Sequence, residues 1–226
     1  MYQWHWNLIW AHRIVLLRGA WITIELCFLA LLAGTLIGLI FVFLRRSKHP
    51  LVFVPILFLT EILRQLPLLV VLIWLYYVLP SVGIIISGFW AAFIGLSFNL
   101  AAYISETIRA GIESIPKGQA ESAIALGYSK SLLMRKIILP QAFKRMLPNI
   151  MNLYINQIKL SALASVIAVN ELLHMGNIII SATYRPLEVY TAVAVMYLII
   201  IMPFVGIAYF IEKKLNLKTQ SLLIQY

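Results

Sequence analysis

The chain has 226 residues, 62% hydrophobic and only 12% charged, with a mean hydropathy of +0.94 and a formal net charge of +10. A soluble domain carries about 25% charged residues, so this composition excludes an ordinary soluble enzyme and predicts an all-α integral membrane protein, one domain over residues 1–226. With no Asp, a single Cys27 and four scattered His (His5, His12, His49, His174), the chain offers no paired-Asp catalysis, no internal disulfide and no metal-ligand spacing.

Residues 1–18 hold Trp4, Trp6, Trp10, Arg13 and Arg18, an interfacial lead-in of the kind tryptophan favours. Residues 19–44 form the first predicted span, uncharged from Leu26 to Leu44, with Gly34 and Gly38 four apart to let another helix approach closely. Arg45, Arg46, Lys48 and His49 make a basic loop before Pro50. The second predicted span, about 52–79, contains Glu61, Arg64 and Pro67. The two charges are three apart, share a helix face and can pair. Ionisable groups at depth mark either function or internal locking, and Pro67 interrupts or kinks the helix beyond them. A turn at Pro80–Gly83 separates this from the third span, about 86–105, whose polar members are Asn99, Tyr103 and Ser105.

Residues 106–147 break the pattern. From Ser105 to Leu147 there are ten charged residues, and a soluble job or partner is required. Pro116 suits a helix start and Gln119 to Leu126 a short helix. Gly127 suits the position after the helix, where positive φ is favoured. Ser129 reads as the N-cap of a second helix to Leu139, which Pro140 stops or restarts.

The fourth predicted span, about 148–169, carries Asn149, Asn152 and Asn156 as one polar stripe with Gln157 and Lys159. Such a stripe faces protein or water. A moderately polar loop then runs from Glu171 to Arg185 and Pro186. Residues 189–211 give an uncharged fifth span, followed by Glu212, Lys213, Lys214 and Lys218. Thirteen Lys and Arg fall in the 45–50 loop, the insert and the tail, against three (Arg13, Arg18, Arg185) on the other side. Cytoplasmic segments hold the basic excess, so the expectation is five spans, N-terminus outside and C-terminus cytoplasmic.

Within the insert Glu121-Ser122-Ala123, Gly127, Ile137, Leu139 and Pro140 follow the spacing EAA-x₃-G-x₉-I-x-L-P. This resembles the signature of ATP-binding-cassette importer permeases, with Ser122 replacing one Ala. Thr23, Arg64 and Pro67, Ala102-Tyr103, Glu106, Arg109, Gly118-Gln119, Gln141, Pro148, Asn152 and Glu171-Leu172 extend the likeness to the polar amino-acid permeases over nearly the whole chain. One departure stands out: where that family reads Lys-Asp-Thr-Ser-Leu, this chain has Lys159, Leu160, Ser161, Ala162 and Leu163.

The resemblance implies a permease subunit in a bacterial cytoplasmic (inner) membrane that binds no cofactor itself. ATP and magnesium would be used by a pair of partner ATPase subunits, since this chain has no GxxxxGK[ST] loop. The insert would be a coupling helix docked on the ATPase through Gly118, Glu121, Ser122, Ala123, Gly127, Ile137, Leu139 and Pro140. A second permease chain, the same or homologous, would enclose the path, and an extracytoplasmic binding protein would deliver a polar or charged amino acid. Candidate path residues are Glu61, Arg64, Asn152, Asn156, Lys159 and Ser161. A channel or secondary transporter without an ATPase is the competing reading, though no internal repeat supports it. A membrane-embedded enzyme lacks a catalytic constellation.

Overall fold

The computed structural model describes residues 2–215, so Lys218 lies outside the described residues. Among the described residues every regular element is helical. A short α1 (Asn7–Ala11) leads into α2 (Arg13–Arg45), then α3 (Pro50–Gln65) and α4 (Leu68–Ile73). From α4 the chain continues through a π turn at Trp74–Val78 and a 3₁₀ turn at Leu79–Val82. Next come α5 (Gly88–Glu113), α6 (Lys117–Ala125) and α7 (Lys130–Leu133), a π turn at Met134–Ile138 and α8 (Leu139–Leu160). A 3₁₀ segment, Ser161–Ile167, precedes α9 (Leu172–Thr183) and α10 (Pro186–Lys214).

Among the described residues four helical runs are long and apolar enough to cross a membrane: α2, α5, Lys130–Ile167 and α10. The stretch expected as a second span is not one helix. Its halves, Pro50–Gln65 and Leu68–Val82, meet at 108°, and only counted together do they make a fifth candidate. Leu66 and Pro67 are both extended at the bend, with ψ of 135° and 128°, because a residue before proline avoids the helical region and proline cannot donate.

Three further differences concern the insert and the polar stretch after the fourth span. Helix α5 runs on to Glu113, past the expected boundary at 105, and α8 already begins at Leu139, so residues 106–147 are helical at both ends. Pro140 does not stop its helix. The preceding π turn widens the coil, the Leu139 amide reaching back to the Met134 carbonyl, and the helix passes through the proline. The polar stretch after Glu171 is the twelve-residue helix α9, not a loop. Glu171 accepts from the amides of Leu173 and His174 and so caps it.

The core is built on α5. Ala91, Ala92, Leu96, Leu100, Ala101 and Ala102 are all buried. Against them lies α2, whose glycines permit the approach. A Cβ added at Gly34 would stand 2.9 Å from the Leu100 side chain and the Ser97 carbonyl, and one at Gly38 would stand 2.8 Å from Ile104. The expected small-residue face is therefore a real helix–helix contact. Helix α4 and the 3₁₀ segment complete this cluster through Leu68, Leu72, Ala164 and Ile167. A second cluster joins α2, α9 and α10 through Leu16, Leu172, Ile179, Val189 and Val193.

Candidate functional site

The bend after α3 frees backbone carbonyls, and α5 satisfies them. Pro67 has no N–H to return to the Leu63 carbonyl. Asn99 supplies that donor from α5 at 3.4 Å. One turn on, the Tyr103 hydroxyl donates to the Arg64 carbonyl at 3.2 Å. The polar residues of α5 thus anchor a broken helix, since orphaned helix-end groups require partners.

Beside this bend lies a cleft between α5 and α8, in two connected parts that share Tyr103 and Leu153. The part at the bend, about 410 Å³, is lined by Arg64, Asn99, Asn156, Gln157 and Leu160 among others. The part nearer α6, about 610 Å³, is lined by Glu106, Arg145, Asn149 and Asn152 among others. One wall is held by the Gln157 amide donating to the Leu96 carbonyl at 2.7 Å. The cleft therefore presents a guanidinium, amides and hydroxyls together. Arg64 Nε is buried without a hydrogen-bond partner among the described residues.

Charges converge at the α6 end of the cleft. Arg45 of α2 reaches Glu106 at 3.2 Å, and Arg64 of α3 reaches it at 3.6 Å. Arg109 also pairs with Glu106 and, on its other arm, with Glu113. The expected pair of Glu61 and Arg64 is present at 3.1 Å. Glu106 is thus a hub joining α2, α3 and α5.

Beyond this hub the α6–α7 hairpin projects. In α6, Gly118, Glu121 and Ser122 are exposed, while Ala123 is buried beneath them. Gly127 has φ of +80°, and Ser129 caps α7 by accepting from the Leu132 amide at 3.3 Å. Ile124 and Leu126 stand exposed on the hairpin. Leu139 and Pro140 are exposed and Ile137 half-buried at the start of α8.

The remaining predicted residues are spread along α8. Asn152 and Asn156 line the cleft, and with Asn149 and Lys159 they form a stripe exposed on the outside of the chain. Ser161 is fully buried and donates to the Ile158 carbonyl at 2.7 Å, away from the cleft. Glu61 touches the cleft only through Arg64.

The sequence reading passed over two carboxylates. Glu188, in the first turn of α10, is fully buried and gathers the N-terminal lead-in. It accepts from the Tyr2 hydroxyl and from the His5 amide at 3.1 Å, while Arg185 donates to the Gln3 carbonyl. An acid two residues after a proline helix start was the available signal. Glu25 is the other. It sits inside the first predicted span and is exposed.

A family model described as binding-protein-dependent transport system inner membrane component matches residues 8–217, and the chain belongs to that family. The arginine transport system permease protein ArtQ of Bacillus subtilis (strain 168) is 37% identical over 205 residues, covering 89% of this chain and 92% of the relative. The glutamine transport system permease protein GlnP of Escherichia coli (strain K12) is 36% identical over 223 residues, covering 95% and 99%. Among solved structures, an amino acid ABC transporter with histidines superimposes with a TM-score of 0.89 at 33% identity, covering 94% of this chain and all of the other. The MetNI methionine ABC transporter in an inward-facing conformation shares the fold at a TM-score of 0.73 and 21% identity. The resemblance to importer permeases drawn from the insert is borne out.

Proposed function

We propose that the chain is the membrane-spanning permease subunit of an ATP-driven importer for polar or charged amino acids. Its relatives are permeases of arginine and glutamine transport systems. The α5–α8 cleft, with Arg64 beside Asn99, Asn156 and Tyr103, suits a substrate that carries a carboxylate and further hydrogen-bonding groups. Arg64, Asn152 and Asn156 line the path. Glu61 holds Arg64, Lys159 extends the exposed stripe, and Ser161 supports α8 from behind.

The bent pair counts as one of five spans, with the N-terminus outside and the C-terminus in the cytoplasm of a bacterium. The basic bias supports this orientation. A pair of ATPase subunits grips the hairpin, a second permease chain completes the path, and an extracytoplasmic binding protein delivers the substrate. ATP-driven closure of the ATPases rocks the helices between two states.

The observation that carries the reading is the hairpin: an exposed helix with a buried small-residue underside, ended by a left-handed glycine and a capped second helix. A short projecting helix of this kind fits a groove on another protein. Replacing Gly127 by Val tests it. Nothing lies within 4 Å of an added Cβ, so the strain is conformational, about 1–2 kcal/mol, and it falls on the hairpin alone. ATP-dependent uptake in proteoliposomes holding the ATPase and binding protein should be abolished while membrane insertion persists. Uptake at the wild-type rate would sink the coupling role.

A further inference from the structure

Two charges of opposite sign stand within candidate membrane spans on the outside of this chain, and neither side chain has a hydrogen-bond or ion-pair partner among the described residues. Glu25 is exposed on α2, beside exposed Trp21 and Phe28. Lys159 is exposed near the end of α8, at the head of the asparagine stripe. A lone charge at depth is costly against lipid and ordinarily finds a partner.

Cross-helix bonds put the two at similar depth. Helices α2 and α8 run antiparallel. Their register is fixed where the Thr35 and Tyr154 hydroxyls meet at 2.8 Å, and further along Ser161 lies beside Cys27. Between these marks Lys159 is level with about residue 29 of α2, roughly 6 Å along the axis from Glu25 at 1.5 Å per residue. The flexible four-carbon stem of lysine spans such an offset.

Within one chain they face different ways. Helix α2 turns Leu26, Cys27 and Ala30 inward, with Glu25 on its outer side, while α8 turns Ile158 and Gln157 inward and Lys159 outward. In a two-fold dimer the same two patches meet twice, each supplying the other's missing charge.

We propose that the Glu25 face of α2 docks against the Lys159 face of α8 in a second copy of this chain, with two symmetric Glu25–Lys159 pairs across the interface. This rests on the two-permease reading above and takes the second permease to be an identical copy.

Charge reversal on the full complex in nanodiscs tests it, read as the permease dimer fraction by native mass and as ATP-dependent uptake. Glu25→Lys and Lys159→Glu should each weaken the dimer by roughly tenfold or more, since like charges then oppose, and the double variant should restore both readouts. In parallel, Glu25→Cys with Lys159→Cys in a Cys27→Ser background should give an interchain product with a short bismaleimide, whether or not the reversal variants assemble well.

A double variant no better than its worse parent, or crosslinks confined to single chains in an intact dimer, overturns the pairing and leaves the transport reading standing. So does a loss of uptake on Lys159→Gln with an unchanged dimer and a silent Glu25→Gln, which would place Lys159 in the path. A wild-type complex containing one permease chain overturns the pairing and the two-permease reading together.

Discussion

The two ends of the molecule hold carboxylates by opposite chemistry. At the α9 end, fully buried Glu171 takes two backbone amides of its own helix and the Tyr197 hydroxyl from α10 at 2.5 Å. Nearby, the Thr23 hydroxyl of α2 accepts the Leu172 amide at 3.0 Å. These donors are neutral, directional and fixed in helices. At the α6 end, Glu106 is partly exposed and meets only guanidinium groups, from three helices. Those arginines are shared: Arg64 divides between Glu61 and Glu106, and Arg109 between Glu106 and Glu113. Buried neutral bonds are expensive to break because the partners left behind find no water. Partly solvated ion pairs exchange at little cost. The α9 end is built to hold, and the α6 end, next to the projecting hairpin, is built to rearrange.

The sharpest way to break this contrast is Glu171→Ala. It leaves two amides and a hydroxyl without an acceptor and removes a helix cap. The expected loss is about 3 kcal/mol or more, read as a large drop in the thermal midpoint of the detergent-purified protein. Glu171→Gln keeps one acceptor oxygen and should fall between. An alanine variant that melts with the wild type would mean that the α9 end is no firmer than the other.

Glu106→Gln comes second. It removes the hub and leaves three arginines facing one another, yet each is partly solvated, so the stability loss is about 1 kcal/mol. Transport should suffer more than stability, because α2, α3 and α5 lose their common tether at the end where the hairpin enters. The check is a split between a small melting shift and a large fall in ATP-driven uptake. Equal losses in both would make the hub a plain structural bond.

Much of this was legible in the sequence wherever one residue type has one physical use. Apolar runs located four long apolar helices, Gly34 and Gly38 the close helix contact, Gly127 the left-handed turn and Ser129 the cap. Pro67 announced an interruption, but its 108° size depends on Asn99 and Tyr103 catching the freed carbonyls, a long-range match that no local pattern contains. Pro140 left stop and restart open for a related reason: a π turn upstream absorbs the missing donor, and α8 starts with the proline in its first turn. Helix α9 was hidden because His174, Asn177 and Ser181 made an apolar helix look polar. In the site, Arg64 and the asparagine stripe could be read from cost alone, since charge and amide at depth require a reason. Whether Glu106 would find Arg45 and Arg64, or Glu188 find Tyr2, lay in tertiary placement.

The smallest expected effect is the most exposed pair. Glu113 is 61% exposed and meets Arg109, 45% exposed, one turn away on the same helix. Such i,i+4 pairs contribute about 0.3–0.5 kcal/mol, and here Arg109 keeps Glu106 when Glu113 is lost. Glu113→Gln should therefore shift the melting midpoint barely at all, and the shift should vanish in about 1 M salt, where the screening length falls to about 3 Å. Glu106→Gln, nearer the bundle, should retain most of its effect in the same salt. If Glu113→Gln instead costs as much as Glu106→Gln, and salt spares both, then the arginines are locked in one rigid array. The α6 end would then hold its carboxylates as firmly as the α9 end does, with ionic partners in place of neutral ones.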